Sequence, residues 1–277
     1  MPPVTLALAL VIFGSGAIAG GVGSLLGLGG GVFLVPLLNL ALGFPLRTAA
    51  AISLTTVIAT SSSVSAGRTG TQVINLRLGM VLEVATVAGS LLGGLTAHLF
   101  AEATLQRLFG AVAILTATAV LARINRRNVI LDPDAHPGAL GGRFFDGESG
   151  STVTYRVKRL PAALLASFAA GNVSSLLGLG GGIIKVPALN TWCGVPMRAA
   201  AATSAFMIGV TAAGGAIIYY GRGDLPPLGA APAVLGVQLG SWAGLYLARR
   251  ASARWLKILL TIVLVVVAVL MFLRSAR

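Results

Sequence analysis

Ten apolar segments run along the chain, separated by short polar stretches. Eight are about 20 residues long, enough for a helix to cross roughly 30 Å of hydrocarbon. Two more, residues 31–43 and 182–193, have only 12 or 13 residues, too few to cross at about 1.5 Å of rise per residue. The pattern predicts two half-helices and eight membrane-spanning helices, near residues 4–26, 46–66, 77–99, 103–122, 159–178, 196–219, 228–248 and 256–273.

The two short segments belong to an internal repeat. The stretch SLLGLGGGVFLVPLLNLALGFPLRTAAAIS begins at Ser24, and SLLGLGGGIIKVPALNTWCGVPMRAAAATS begins 151 residues later, at Ser175. The two stretches are identical at 19 of 30 positions. Each half of the chain thus has four full spans plus a short half-helix after a glycine-rich break. The sequence predicts a first membrane repeat over 1–122, a linker over 123–158 and a second membrane repeat over 159–277.

Composition identifies the class of protein. Of 277 residues, 56% are apolar and 10% are charged, with a mean hydropathy of +0.92, whereas about a quarter of the residues in soluble domains are charged. We therefore expect an all-α integral membrane protein surrounded by membrane lipid. A net charge of +13 would suggest nucleic acid as a partner, but the basic residues lie in short stretches between apolar runs, where they act as topology signals. No nucleic acid is expected.

The order of segments and the charge distribution predict an inverted repeat. When the half-helix is counted as a return leg, each half has an odd number of segments, so the second copy inserts upside down. With the 123–158 linker in the cytoplasm, fourteen basic residues lie inside and five outside, as the positive-inside bias requires. Both termini are then extracytoplasmic in a multi-pass protein of the cytoplasmic (inner) membrane. Inverted repeats with paired broken helices are typical of secondary transporters.

The repeated motif resembles a known family. GLGGG, followed by VP, Asn and GxPxRxAxAxS, occurs twice and is similar to the TauE/SafE sulfite exporter family, also called toluenesulfonate uptake permeases. This resemblance implies two repeated halves of membrane helices. It also implies proton-coupled or facilitated movement of small sulfur-containing anions, such as sulfite and sulfonates, or of related organic acids. The linker, of more than 30 residues, is longer than the repeat requires.

The two glycine breaks are the first candidate substrate site. Without a Cβ, these glycines can adopt positive φ and expose N–H groups, and the following half-helix adds the positive end of its dipole. Two such half-helices could approach one midplane site from opposite halves and hold an anion. Alternatively, the glycines only allow close helix packing, as in the GxxxG spacings elsewhere in the chain. The candidate residues are Gly29, Gly30, Gly31, Gly180, Gly181 and Gly182.

Paired polar residues follow each break. Asn39 and Asn190 could contact substrate or satisfy backbone groups freed by the prolines within the half-helices. Arg47 and Arg198, at the start of the next helix, fit an anion-attracting vestibule or gate, or side chains reaching the lipid headgroups.

Two charged residues break the repeat symmetry. Lys185, in the second half-helix, corresponds to Leu34 in the first; no acid occupies a repeat-symmetric position opposite it, so an anionic substrate would be a sufficient counter-charge. The alternative is that Lys185 reaches the membrane interface. Glu83, whose counterpart is Val234, is a candidate for proton coupling or an acid near the cytoplasmic edge that stays hydrated.

Other polar side chains have weaker functional indications. The hydroxyl-rich run from Thr55, together with Thr203, Ser204 and Thr211 of the matching helix, lines a cavity or bonds the backbone one turn back. His98 and Glu102, four residues apart, are interpreted as an exposed pair.

Enzymatic chemistry is not predicted. The two histidines lie at a helix end and in the linker, and the spans contain no nucleophile–base or metal-ligand set, so we expect no catalytic residues, metal or cofactor. The predicted function is a secondary transporter that moves small sulfur-containing anions by alternating access. The alternative is an anion channel or a non-transporting membrane subunit. The glycine-bearing helices could also join two copies into a homodimer.

Overall fold

The structure, a computed structural model, describes residues 5–26, 30–66, 73–121, 136–146, 150–248 and 253–276. The first half contains α1 (Leu6–Leu26), α2 (Gly31–Pro36), a π-helical turn (Leu37–Ala41), α3 (Leu46–Ala66), α4 (Leu76–Thr96), a 3₁₀ turn (Ala97–Leu99) and α5 (Glu102–Leu121). Two strands follow, β1 (Gly142–Asp146) and β2 (Ser151–Tyr155). The second half contains α6 (Leu160–Leu177), α7 (Gly182–Thr191), α8 (Met197–Gly221), α9 (Pro227–Ala248) and α10 (Ala253–Ser275).

The long helices coincide with the predicted spans to within a few residues. Within the described part of the chain, α1, α3, α4, α6 and α8 are long and apolar enough to cross a membrane. The other three predicted spans coincide with α5, α9 and α10, which are 20, 22 and 23 residues long. The two half-helices also form, as α2 with its π-helical turn and as α7. A multi-pass helical membrane protein is therefore confirmed.

The second half repeats the helix starts of the first. The helices α2, α3, α4 and α5 begin at residues 31, 46, 76 and 102, and α7, α8, α9 and α10 begin at 182, 197, 227 and 253. Each start in the second half lies 151 residues after its counterpart, which is the offset of the sequence repeat.

Small residues hold helices of the two halves together. A Cβ at Gly16 of α1 would collide with the Ala233 carbonyl of α9, and one at Gly20 would collide with the backbone of Val237. In the corresponding pair of helices, Gly89 and Gly93 of α4 lie equally close to the backbone of Phe168 and Asn172 of α6. The GxxxG glycines therefore serve close packing within one chain.

Equivalent helices of the two halves pack antiparallel to each other. Leu54 of α3 lies beside Gly215 of α8, and Ser61 of α3 lies beside Gly209 of α8. Residue numbers therefore increase along α3 as they decrease along α8. In α5 and its counterpart α10, the Arg107 guanidinium donates to the Ser275 carbonyl at 3.4 Å. One turn further along α5, Gly110 contacts Phe272, which is the same reversed order.

The linker contains a β-hairpin that the sequence analysis did not predict. β1 and β2 pair antiparallel, with Gly142 opposite Tyr155. Along β2, Val153 and Tyr155 face inward while their neighbours do not, which is the two-residue alternation of a half-buried strand. The all-α expectation thus holds for the membrane helices but not for the linker.

The hairpin is attached to the ends of the membrane helices. Asn75, the N-cap residue of α4, donates to the Leu140 carbonyl at 2.8 Å and to the Tyr155 hydroxyl at 3.1 Å. The Lys158 N–H donates to the carbonyl of Cys193, in the loop after α7, at 2.9 Å. Burial raises the pKa of the Tyr155 phenol, and the Asn75 hydrogen bond opposes this effect. The hairpin therefore covers the end of the molecule where α4 and α8 begin.

Candidate functional site

The glycine breaks adopt the expected left-handed backbone at equivalent positions. Gly30 and Gly181 are the N-cap residues of α2 and α7, with φ of 74° and 72°. Gly180 also has positive φ, at 79°. Gly31 and Gly182 do not, because each is the first residue of its half-helix. Gly29 lies outside the described residues.

The two breaks adjoin each other at the interface of α3 and α8. Gly31 lies against the Gly178 carbonyl of the other half, and the Ser53 hydroxyl donates to that same carbonyl at 2.7 Å. Val57 of α3 lies beside Gly31 and Gly180. Its counterpart Ile208 of α8 lies beside Gly180 and Gly182. Since these glycines are all buried, an anion could reach their N–H groups only if the apolar side chains moved.

Lys185 lies inside the protein and does not reach the interface. It is 1% exposed on the first turns of α7, close to the second break. Its ammonium donates to the Thr211 hydroxyl of α8 at 3.2 Å. The Thr211 hydroxyl in turn donates to Glu83 Oε1 of α4 at 2.8 Å. Three helices thus bring together a cation, a hydroxyl and a carboxylate.

Glu83 supplies the acidic partner that repeat symmetry did not reveal. Its Oε2 lies 3.9 Å from the Lys185 Nζ, and its side chain is 13% exposed. Oε2 is buried without a hydrogen-bond partner. Glu83 and Lys185 are 102 positions apart, and the only sequence signal for their pairing was that both are charges within apolar segments.

The repeat-related positions of these three residues are uncharged. Leu34, which corresponds to Lys185, is fully buried, and Val234 corresponds to Glu83. Thr60, which corresponds to Thr211, donates to backbone carbonyls of its own helix. The charged group, which we call the Lys185 triad (Lys185, Thr211 and Glu83), therefore joins α4 of the first half to α7 and α8 of the second, and the repeat-related positions carry no charge.

Asn39 and Asn190 have repeat-equivalent hydrogen-bond partners. The Asn39 amide donates to the Phe44 carbonyl at 2.8 Å, and the Asn190 amide donates to the Val195 carbonyl at 2.9 Å. Each bond closes the loop after its half-helix and does not reach the carbonyl freed by the proline. Asn39 also donates to Glu102 Oε1 at 3.2 Å. A substrate contact would compete with these bonds.

Arg47 and Arg198 have different surroundings. The half-buried Arg47 donates to the Phe100 carbonyl at 2.7 Å, whereas Arg198 is exposed.

The expected pairing of His98 with Glu102 is wrong. His98 instead pairs with Asp224, in the loop after α8, at 2.8 Å. Glu102 accepts hydrogen bonds from the Leu46 N–H and the Asn39 amide.

Most hydroxyls of α3 bond to backbone carbonyls. Thr55 and Thr56 donate to carbonyls three residues earlier, while Ser61 donates across to Ala205 of α8 at 2.7 Å. By contrast, Ser204 of α8 is buried without a hydrogen-bond partner. Backbone bonding is thus the main role of these hydroxyls in α3.

A separate open cleft of about 720 Å³ lies between the start of α5 and the end of α10. Glu102, Gln106 and Arg274 provide its polar lining. It shares no residue with the Lys185 triad. Within the described residues, no group of three or more metal-ligating side chains is found.

Comparisons with known proteins agree with this architecture. Over 259 residues the chain is 28% identical to the probable membrane transporter protein YunE of Bacillus subtilis (strain 168), covering 91% of this chain and 93% of the relative. No solved structure matches the chain significantly. The family model described as sulfite exporter TauE/SafE matches residues 12–271. The chain therefore belongs to the TauE/SafE sulfite exporter family.

Proposed function

We propose that the chain is a secondary transporter that moves small sulfur-containing anions, such as sulfite, sulfonates or related organic acids, across the cytoplasmic membrane. Family membership and the relative named as a probable membrane transporter support a transporter rather than an enzyme. The observation that carries the anion assignment is Lys185, a buried cation on a half-helix beside the junction of the two breaks. A cation in the interior of a membrane protein costs about 3 kcal/mol or more and generally marks a substrate or ion pathway.

In this proposal the substrate oxygens bind the Lys185 ammonium and N–H groups at the start of the half-helices. Gly30 and Gly181 cap these helices with left-handed backbone, and the first two N–H groups of each helix have no partner inside it. The helix dipoles favour negative charge at the same ends. Asn39 and Asn190 support the half-helices from their far ends, and Arg47 and Arg198 are candidates for the vestibules.

Alternating access follows if the two halves are inserted in opposite orientations. The antiparallel packing of α3 on α8, and of α5 on α10, supports such an inversion. The distribution of basic residues supports a cytoplasmic linker and two extracytoplasmic termini. Because the breaks are closed by Val57 and Ile208, rocking of one half against the other would open the junction to one side at a time.

Counterflow in liposomes tests this function. Purified protein is reconstituted with internal unlabelled sulfite or methanesulfonate, and entry of the labelled anion is measured. We expect saturable exchange, with at least a tenfold loss in Lys185→Leu and little change in the exposed-site control Arg107→Gln. Ohmic anion conductance without exchange would instead identify an anion channel. The absence of both exchange and conductance would indicate a non-transporting subunit.

A further inference from the structure

The Lys185 triad has a geometry that suits exchange of its negative partner. We propose that an incoming oxyanion replaces the Glu83 carboxylate as the counter-ion of Lys185, and that Glu83 then takes up one proton at Oε2. Each bound anion is thereby accompanied by one proton. This inference rests on the proposed function and specifies the coupling within the same site.

Glu83 is held loosely enough to be displaced. The distance of 3.9 Å between Lys185 Nζ and Glu83 Oε2 is longer than that of a hydrogen bond. The hydrogen bonds that connect the two residues run through the Thr211 hydroxyl. A direct, bidentate ion pair would leave no room for another anion. Here the ammonium keeps N–H groups that can donate hydrogen bonds to an oxyanion.

Oxygen Oε2 of Glu83 is the natural place for the proton. It is buried and has no hydrogen-bond partner, which is an unfavourable state for a carboxylate oxygen. Protonation adds an O–H bond there, consumes one proton from water and breaks no other covalent bond. The 13% exposure of the Glu83 side chain leaves it accessible from outside the protein, whereas Lys185 is enclosed.

Thr211 can serve both states of the triad. Its hydroxyl now donates to Glu83 Oε1 at 2.8 Å, and the Met207 carbonyl lies 3.1 Å away as a second acceptor. When Glu83 becomes neutral with its proton on Oε2, the Thr211 hydroxyl can keep its bond to Oε1 or donate to the Met207 carbonyl instead. Thr211 is therefore a positioning residue that keeps Glu83 and Lys185 in register during exchange.

Charge balance explains why the proton accompanies the anion. Lys185 and Glu83 together are neutral, and no other charged side chain in the described residues is close enough to compensate an added anion. The helix α6 carries no titratable side chain, α7 carries only Lys185, and those of α8 lie towards its ends. On α4, Arg77 lies six residues before Glu83, and Asn75, which binds Tyr155 of the hairpin, lies eight residues before it, which is roughly 9 Å or more by helix rise.

Proton uptake on anion binding tests this inference directly. Binding of methanesulfonate, which is monovalent and does not titrate between pH 5 and 9, is measured calorimetrically in buffers of different ionisation enthalpy. We expect close to one proton taken up per bound anion. Affinity should weaken with rising pH, by up to about tenfold per pH unit where Glu83 is ionised in the free protein.

Two variants assign the proton to its residue. Glu83→Gln should take up close to no proton and bind methanesulfonate with an affinity independent of pH. The control Asp224→Asn removes a carboxylate outside the triad and should keep the wild-type proton uptake. Glu83→Asp retains a carboxylate and should also take up a proton, which provides a second variant if Glu83→Gln folds poorly.

The outcomes separate this inference from the proposed function. Anion binding by the wild-type protein without proton uptake overturns the coupling alone, as does proton uptake that persists in Glu83→Gln. If neither methanesulfonate nor sulfite binds or exchanges, the anion-transport function fails and this inference fails with it.

Discussion

The two half-helices share a scaffold but differ in charge. Both begin after a left-handed glycine, contain a proline and end in an asparagine that closes the following loop. The first has Leu34 where the second has Lys185, and the repeat-related counterparts of Thr211 and Glu83 are Thr60 and Val234. Features required for folding are therefore duplicated, whereas the charged chemistry occurs once. A polar group at this depth is not needed to form the half-helix.

Replacing one charge of the Lys185 triad should have the largest effect on stability. Lys185→Leu leaves Glu83 buried without its counter-ion, which typically costs about 3–5 kcal/mol. The double variant Glu83→Val with Lys185→Leu introduces the residues of the repeat-related positions, Val234 and Leu34, and should recover most of the unfolding free energy. Denaturation in detergent measures both variants. A double variant as unstable as the single one would contradict the comparison between the halves.

Alanine substitutions at the first residue of each half-helix should differ in cost. A Cβ at Gly31 would collide with the Gly178 carbonyl and lie 2.7 Å from the Ser53 hydroxyl, whereas at Gly182 the closest atom is the terminal Cδ1 of Ile208 at 2.6 Å. Because a flexible side-chain end moves more readily than backbone, Gly31→Ala should cost about 2–3 kcal/mol and Gly182→Ala about 1 kcal/mol. Thermal unfolding of the two variants checks the order, and equal losses would refute it.

Alanine substitutions of the two asparagines should also differ in their cost to stability. Asn39→Ala removes a fully buried amide and leaves the Phe44 carbonyl and the Gln106 amide without their partner, at a cost of about 1–3 kcal/mol. Asn190 is only half-buried, so water can replace part of its bonding and Asn190→Ala should cost less. Denaturation midpoints provide the measurement. A larger loss for Asn190→Ala would point to a role beyond closing its loop.

Removal of the Tyr155 hydroxyl should give the smallest effect. Tyr155→Phe deletes the bond to Asn75 and should cost about 1 kcal/mol, seen as faster proteolysis of the hairpin. The pKa of Tyr155 is raised above its ordinary 10.0 in the folded protein, so the folded state keeps the proton to higher pH than the unfolded chain does. Stability should therefore fall as pH rises above about 10. Tyr155→Phe should lack this contribution, and an unchanged alkaline response would contradict it.

The parts of the fold that depend on local patterns were predictable. Segment length and hydropathy identified the helices, because a membrane crossing sets a minimum apolar length. The gapless repeat correctly indicated equivalent helix starts in the two halves. Left-handed backbone at Gly30, Gly180 and Gly181 was anticipated because only residues without a Cβ adopt it at low cost.

The hairpin could in part have been predicted from the sequence. Val153 and Tyr155 alternate with polar neighbours, which is a strand signal, but five residues form a short pattern within a polar linker. Its stability depends on contacts with Asn75 and with the loop after α7. Those contacts become apparent only when the helix ends are arranged in space.

The sequence by itself determined that this chain is a membrane protein of two repeated halves, with half-helices at Gly31 and Gly182, because length, hydropathy and glycine geometry act over a few neighbouring residues. Only the tertiary structure decided that Glu83 is the partner of Lys185, and that Thr211 lies between them. Their three helices are far apart in the chain and meet only through packing. The repeat could not reveal this group, since the counterparts of its two charges, Leu34 and Val234, are uncharged.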